Sequence, residues 1–212
     1  MEILDTLFED GELTKFLDEN QHNNWEGTKF EQYPFLSTKN KGCFGEALLE
    51  KYMHLVLGYE VKIPTNTGHD RIMSGWKTEI KFSLANSPMV KKKSSVHFGR
   101  KLIKPDEFTF NHIATKKDWD RLIFFGVNPL PSNQNMLWEC KERVPPPQLR
   151  GFYMTRDDFA HYMDNENLIT KVFAPQQGGK KGKNDDYMVA GYNRFQKLIN
   201  LPFVKPLQEW DK

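Results

Sequence analysis

Phe44, Ala47, Leu48, Tyr52, Leu55 and Val56 recur at the three- and four-residue spacing of one helical face, which predicts a helix over residues 42–57 closed by Gly58. Glu46 and Glu50 lie one turn apart on the flank of that stripe. Short runs with strand-like alternation follow at 59–63, 69–73, 77–83, 121–128 and 136–141. Thr65-Asn66-Thr67-Gly68 and Ser74-Gly75 supply turn chemistry between the early ones. Thr155-Arg156-Asp157-Asp158 has the form of a capping box and opens a helix to about Met163. Residues 2–19 read as one or two short helices broken near Gly11, and residues 20–39 have no clean period. Residues 192–201 form a last helix, stopped by Pro202. Residues 176–186 (QQGGKKGKNDD) are too polar and Gly-rich for an element and read as a mobile loop. Helix, a run of strands, then helix predicts an α/β (α+β) fold with a mixed central sheet flanked by helices.

Composition makes such a core feasible. The 212 residues include 16 Phe and 5 Trp, enough large apolar side chains for a single domain without metal or disulfide staples. That domain divides into an irregular arm (1–40), a core (41–165) and a basic loop with a C-terminal segment (166–212). Cys43 and Cys140 fit no metal-binding spacing and read as reduced thiols. The acidic, amphipathic N-terminus is unlike a signal peptide, and no apolar run approaches a membrane span. A cytoplasmic, soluble protein with no membrane partner is expected.

The net charge of +2 conceals a segregation. Residues 1–20 carry seven acids and one Lys. No acid lies between Glu79 and Asp106, where Lys81, Lys91, Lys92, Lys93, Arg100, Lys101 and Lys104 are found. None lies between Glu166 and Asp185, where Lys171, Lys180, Lys181 and Lys183 are found. Two basic stretches opposite an acidic end suit a face that binds a polyanion.

The segment from His69 to Phe82 holds the chemistry. In a strand, Ile80 and Phe82 point to the core while Glu79 and Lys81 project together from the other face. A turn at Ser74-Gly75 folds the preceding strand back and can set Asp70 beside Glu79. Two converging carboxylates with an ammonium next to them suit a hard divalent cation, which takes carboxylates, water and phosphate oxygens. Such an ion neutralises a scissile phosphate and acidifies water, while Lys81 can orient that water or stabilise the developing charge. Glu46 or Glu50 could assist from the adjacent helix. An ExK alone carries little information; the Asp one hairpin upstream, the Glu-bearing helix and the basic stretch downstream give it weight.

Asp70…Glu79-Ile80-Lys81 resembles the PD-(D/E)xK motif of the restriction-endonuclease-like nuclease superfamily. Glu46, within Gly42-Cys43-Phe44-Gly45-Glu46-Ala47-Leu48-Leu49-Glu50, is similar to the acid that many members carry on the helix before the core sheet. Phe110-Asn111-His112-Ile113 and residues 118–127 look like the strands that follow the active site. The resemblance covers about residues 40–165, and His69 stands where the motif's Pro is usual. It implies a restriction-endonuclease-like core, catalysis by Asp70, Glu79, Lys81 and Glu46, and Mg²⁺ (or Mn²⁺) held by Asp70, Glu79 and Ile80. It also implies double-stranded DNA as substrate, cut at specific sites as by a type II restriction endonuclease. A homodimer is one arrangement left open.

Lys91, Lys92, Lys93, Arg100 and Lys101 then become phosphate contacts, which add affinity without sequence information. Asn111 and His112 could line the DNA-facing edge of the sheet, and Lys180, Lys181 and Lys183 could close over the duplex. His69 reads as structural in preference to a phosphate contact, and Trp119, Trp138 and Trp210 as packing. Residues 178–183 lack the GxxxxGK[ST] spacing of a P-loop. A repair nuclease or junction resolvase on the same fold, and a non-catalytic DNA-binding module, are the rival readings.

Overall fold

The computed structural model describes residues 3–7, 11–12, 29–65, 68–85, 105–114, 116–128, 148–164, 172–176 and 186–211. Helix α1 (Ile3–Leu7) leads to a single turn at Tyr33–Phe35 and then to α2 (Thr38–Lys51). Four strands follow: β1 (Val61–Lys62), β2 (Arg71–Met73), β3 (Trp76–Leu84) and β4 (Thr109–Ala114). Beyond them lie β5 (Arg121–Val127), β6 (Leu149–Thr155), α3 (Arg156–Met163), β7 (Ala174–Pro175) and β8 (Asp186–Ala190). Helix α4 (Tyr192–Ile199) and β9 (Lys205–Pro206) complete the order. No helix among the described residues is long and apolar enough to cross a membrane.

The larger sheet has the order β1-β2-β3-β5-β6-β9 and is mixed. β3 and β5 run parallel, with Glu79 opposite Leu122, while the other neighbours are antiparallel. A second, antiparallel sheet has the order β4-β8-β7. Alternation along the central strands divides the apolar residues between two cores. Ile80, Leu84, Ile123 and Phe125 meet Phe44, Leu48 and Leu49 of α2, together with Leu4, Leu7 and Phe30. Leu122, Phe124 and Met154 meet Phe110 and Val189 of the second sheet, Phe159 of α3 and Phe195 of α4. The mixed sheet is therefore covered on both faces.

Several elements depart from the sequence reading. Helix α2 begins earlier than residue 42, because the Ser37 hydroxyl accepts the Asn40 N–H at 3.2 Å and caps it. Its last turn, Tyr52–Val56, is a π turn in which the Leu57 N–H reaches the Tyr52 carbonyl. Tyr52 is buried as expected, but the extra residue rotates the face beyond it, so Met53 enters the core while Leu55 and Val56 are exposed. β6 and β8 were not anticipated: β6 contains Arg150 and Gly151, and β8 follows a run of polar residues. Gln176 and Asp186, expected in a mobile loop, flank a paired β-hairpin in which the Gln176 N–H donates to the Asp186 carbonyl at 3.1 Å. Helix α1 and Phe30 enter the first core, Phe195 and Leu198 of α4 enter the second, and β8 and β9 join the sheets. The strand expected at 136–141, Trp138 and residues 177–185 lie outside the described residues.

Candidate metal centre

Ser74 and Gly75 both have positive φ, 48° and 85°, as a two-residue type I′ hairpin requires. This turn sets the pairing Met73↔Trp76, Ile72↔Lys77 and Arg71↔Thr78. One residue further back, the Asp70 N–H donates to the Thr78 carbonyl at 3.0 Å, and an Asp70 Oδ2 oxygen accepts the Ile80 N–H at 2.7 Å. Asp70 therefore lies where β2 would continue alongside Glu79 and Ile80. A residue's N–H and C=O leave a strand on the same side. The Ile80 carbonyl thus faces the gap that the Asp70 carboxylate borders.

Ile80 and Phe82 point to α2, where Phe44 and Phe82 meet edge to face at 5.9 Å. Glu79 and Lys81 leave by the opposite face. Glu79 is 1% exposed, yet one of its oxygens, Oε2, has no hydrogen-bond partner among the described residues. Its other oxygen, Oε1, accepts from Lys81 Nζ at 2.5 Å and from Lys117 Nζ at 2.6 Å. A buried carboxylate with one doubly occupied oxygen and one orphaned oxygen is incompletely compensated.

Glu46 approaches from α2. Arg71 donates from one guanidinium nitrogen to Glu46 at 2.8 Å, from Nε to Glu50 at 3.0 Å, and also to the Asp70 carbonyl at 2.7 Å. That fork keeps Glu46 next to the two strand acids. Burial pushes the Asp70 carboxyl above its ordinary range, and the Glu79 charge pushes it further, against the opposing pull of the Ile80 N–H, Lys117 and Lys81. Burial raises the Glu46 carboxyl as well, with the Asp70 charge second and Arg71 opposing. The acids thus sense one another as a group.

Lys117 comes from the connection between β4 and β5, which is anchored on both sides of it. Trp119 is buried against Phe159, its indole N–H donating to the Ala114 carbonyl at 3.3 Å. Asp120 accepts the Lys77 N–H on its side chain at 2.9 Å and donates its own N–H to the Lys77 carbonyl at 2.8 Å. Burial lowers the Lys117 ammonium, but the Glu79 hydrogen bond and the surrounding carboxylates outweigh it and leave the ammonium raised.

The donor set suits a hard cation in part. The Asp70 carboxylate lies against Ile80, next in sequence to Glu79, and Glu79 Oε2 has no partner among the described residues, which leaves carboxylate oxygens of the kind a hard cation takes. Among the described residues no group of three or more His, Cys, Asp or Glu side chains is placed to hold a metal ion alone. An ion here would take its remaining ligands from water and substrate, as Mg²⁺ commonly does.

The other candidates fall elsewhere. His112 sits at a bulge in β4 with φ 57°, exposed on the second sheet. Its Nδ1 lies 2.9 Å from Asp186, its Nε2 lies 3.1 Å from the Gln176 amide, and its backbone N–H donates to Gln176 at 2.8 Å. His69 is buried with neither ring nitrogen partnered among the described residues. Trp119 and Trp210 are buried, as expected of packing residues. Lys91, Lys92, Lys93, Arg100, Lys101, Lys180, Lys181 and Lys183 lie outside the described residues. Lys117 and Arg71 were missed by sequence reasoning. Arg71 adjoins Asp70, but nothing in its neighbours tells that it faces α2. Lys117 reaches Glu79 only because β5 runs parallel to β3. Comparison with protein-family models, with curated proteins and with solved structures returned no match to this chain.

Proposed function

We propose that the chain is a Mg²⁺-dependent DNA endonuclease of the PD-(D/E)xK type, acting on duplex DNA at specific sites. The observation that carries the reading is that Asp70 accepts the Ile80 N–H next to a buried Glu79 whose Oε2 has no partner among the described residues, with Lys81 bonded to the other Glu79 oxygen. Asp70, Glu79 and the Ile80 carbonyl would hold the ion, and Mn²⁺ would substitute for Mg²⁺. When bound, the ion supplies neutralisation of the scissile phosphate and a lower pKa for the attacking water. Lys81, mostly buried and fixed on β3 two residues from Glu79, places an ammonium where charge develops on the phosphate. Glu46, steadied by Arg71, adds a third carboxylate to orient water or exclude a wrongly placed phosphate. A restriction-endonuclease-like core accommodates this arrangement, because the acids stand on a hairpin of a mixed sheet with the Glu-bearing helix on one face.

Plasmid DNA incubated with the protein and Mg²⁺ tests the proposal. Discrete linear bands are expected with Mg²⁺ or Mn²⁺, binding without cutting with Ca²⁺, and no cutting in excess EDTA. Asp70→Asn and Glu79→Gln should each lower the cleavage rate by at least about three orders of magnitude while leaving the fold intact. Cutting that persists in EDTA, or in both variants, would remove these residues from the active site.

A further inference from the structure

In this structure four carboxylates, Glu46, Glu50, Asp70 and Glu79, face three cations, Arg71, Lys81 and Lys117. The cluster is therefore nearly balanced without a divalent ion. Adding such an ion turns it net positive, in a place where solvent screens the buried Glu79 poorly. Something of like charge must withdraw, and the three cations differ in how readily they can. Arg71 is fixed by bonds to Glu46, Glu50 and the Asp70 carbonyl, with a side chain 13% exposed. Lys81 is rooted on β3 beside Glu79, with a side chain 11% exposed. Lys117 alone of the three extends from a connection rather than from a sheet strand, its side chain is 42% exposed, and it donates to the oxygen that Lys81 already holds.

We propose that Lys117 is a displaceable counter-cation of the metal site: it holds Glu79 while the site lacks a divalent ion, and transfers to a phosphate of the substrate when the ion binds. This rests on the metal-dependent nuclease reading. Lys117 thereby opposes metal binding in the free protein and assists DNA binding in the loaded one. The buried Glu79 carboxylate stays compensated in both states, since either Lys117 or the ion completes its charge. An ion and a phosphate group arriving together restore the balance that either alone disturbs. Metal and DNA then bind with positive coupling, through a residue outside the motif.

The test measures Mn²⁺ affinity calorimetrically on the full chain without DNA, and duplex affinity separately in EDTA and in Ca²⁺. Wild type is compared with Lys117→Met, Lys117→Arg and Asp70→Asn. Lys117 is surface-accessible, so neither of its variants threatens the core. Lys117→Met should bind Mn²⁺ about 5- to 30-fold more tightly, the range expected from deleting one partly solvated like charge close to the ion. Lys117→Arg, which keeps the charge, should remain within about twofold of wild type. Duplex binding by Lys117→Met should weaken about 3- to 10-fold in Ca²⁺, as for loss of one phosphate contact, and be unchanged in EDTA. Mn²⁺ binding that Asp70→Asn abolishes but Lys117→Met leaves unchanged would overturn the role of Lys117 and spare the nuclease reading. A duplex affinity that falls equally in EDTA and Ca²⁺, or in neither, would also overturn it by showing no transfer. Mn²⁺ binding that Asp70→Asn fails to reduce would overturn the metal reading itself, and this inference with it.

Discussion

Asp70 is an acid held where its charged form is disfavoured, and that has a measurable consequence for the residue itself. Its folded-state pKa lies above the ordinary value, through burial first and the Glu79 charge second. Between the ordinary and the raised titration ranges the folded chain keeps a proton that the unfolded chain has lost. Stability therefore falls as pH rises through that window, and the penalty persists at neutral pH. Asp70→Asn removes the charge while its amide oxygen can still accept the Ile80 N–H. In EDTA the variant should melt higher than wild type at pH 7, with the gain disappearing below roughly pH 4, where both states of Asp70 are protonated. Melting curves from pH 3 to 8 check this, and a gain independent of pH would show that charge is not its cause. At this scale the motif residues were legible, because alternation along β3 puts Glu79 and Lys81 on one face. Arg71 and Lys117 were not, since their roles depend on which distant carboxylates come within reach.

Among the elements, α2 matters most to the site because it carries Glu46 and presses closely on β3. A Cβ added at Gly45 would lie 2.3 Å from the Phe82 Cβ, whereas one at Gly42 in the same helix meets nothing within 4 Å. The two glycines therefore answer oppositely to one substitution. Gly42→Ala should stabilise by up to about 1 kcal/mol through helix propensity. Gly45→Ala gains the same propensity but incurs roughly 1–3 kcal/mol of overpacking, which should make it net destabilising. It should also slow cleavage, because the helix must move away from β3 and take Glu46 with it. Urea denaturation and cleavage assays of both variants check this; equal behaviour would mean that α2 and β3 are not in close contact. The helix was legible as a helix, and its buried face was legible as far as Tyr52. Beyond that the π turn at Tyr52–Val56 sets the face, in contact with a C-terminal residue: the Gln208 amide donates to the Tyr52 hydroxyl at 2.8 Å. The hairpin at Ser74-Gly75 and the Thr155 cap, whose hydroxyl accepts the Asp158 N–H at 3.2 Å, were legible because both are decided within four residues.

At the scale of the whole molecule, the C-terminal segment seals the first core from the far edge of the sheet. Trp210 is fully buried, packs on Tyr153 with ring centroids 4.9 Å apart, and lies over the Arg121 guanidinium at 4.4 Å. Arg121 also faces Trp76 at 4.4 Å and Tyr153 at 5.1 Å, and donates to the Trp210 carbonyl. Three rings around one cation join β3, β5, β6 and the tail in a single contact. Trp210→Ala should therefore cost about 3–5 kcal/mol, as for a buried aromatic and not a dangling end. Chemical denaturation measures it, and a loss below about 1 kcal/mol would show the tail to be peripheral. A second cross-link serves the other core. Asp106, buried with φ 58°, accepts from Arg150 at 3.2 Å and Gln196 at 3.2 Å, and exchanges hydrogen bonds with Asn128. Four segments converge there, so the buried charge is paired on every side.

The sequence by itself determined what depends on neighbouring residues: the periods of α2 and β3, the turn between β2 and β3, the cap of α3, and the mixed α/β class. It also placed Asp70, Glu79 and Lys81 in one small region, since a two-residue turn leaves a strand little choice but to fold back beside the next. Only the tertiary structure decided that β5 runs parallel to β3, that β4 and β8 leave to form a second sheet, and that Lys117 and Arg71 join the acids. Parallel pairing closes a long loop against entropy and is repaid only by packing over both faces at once. No local pattern in the chain records that balance, and the charges that complete the site arrive through it.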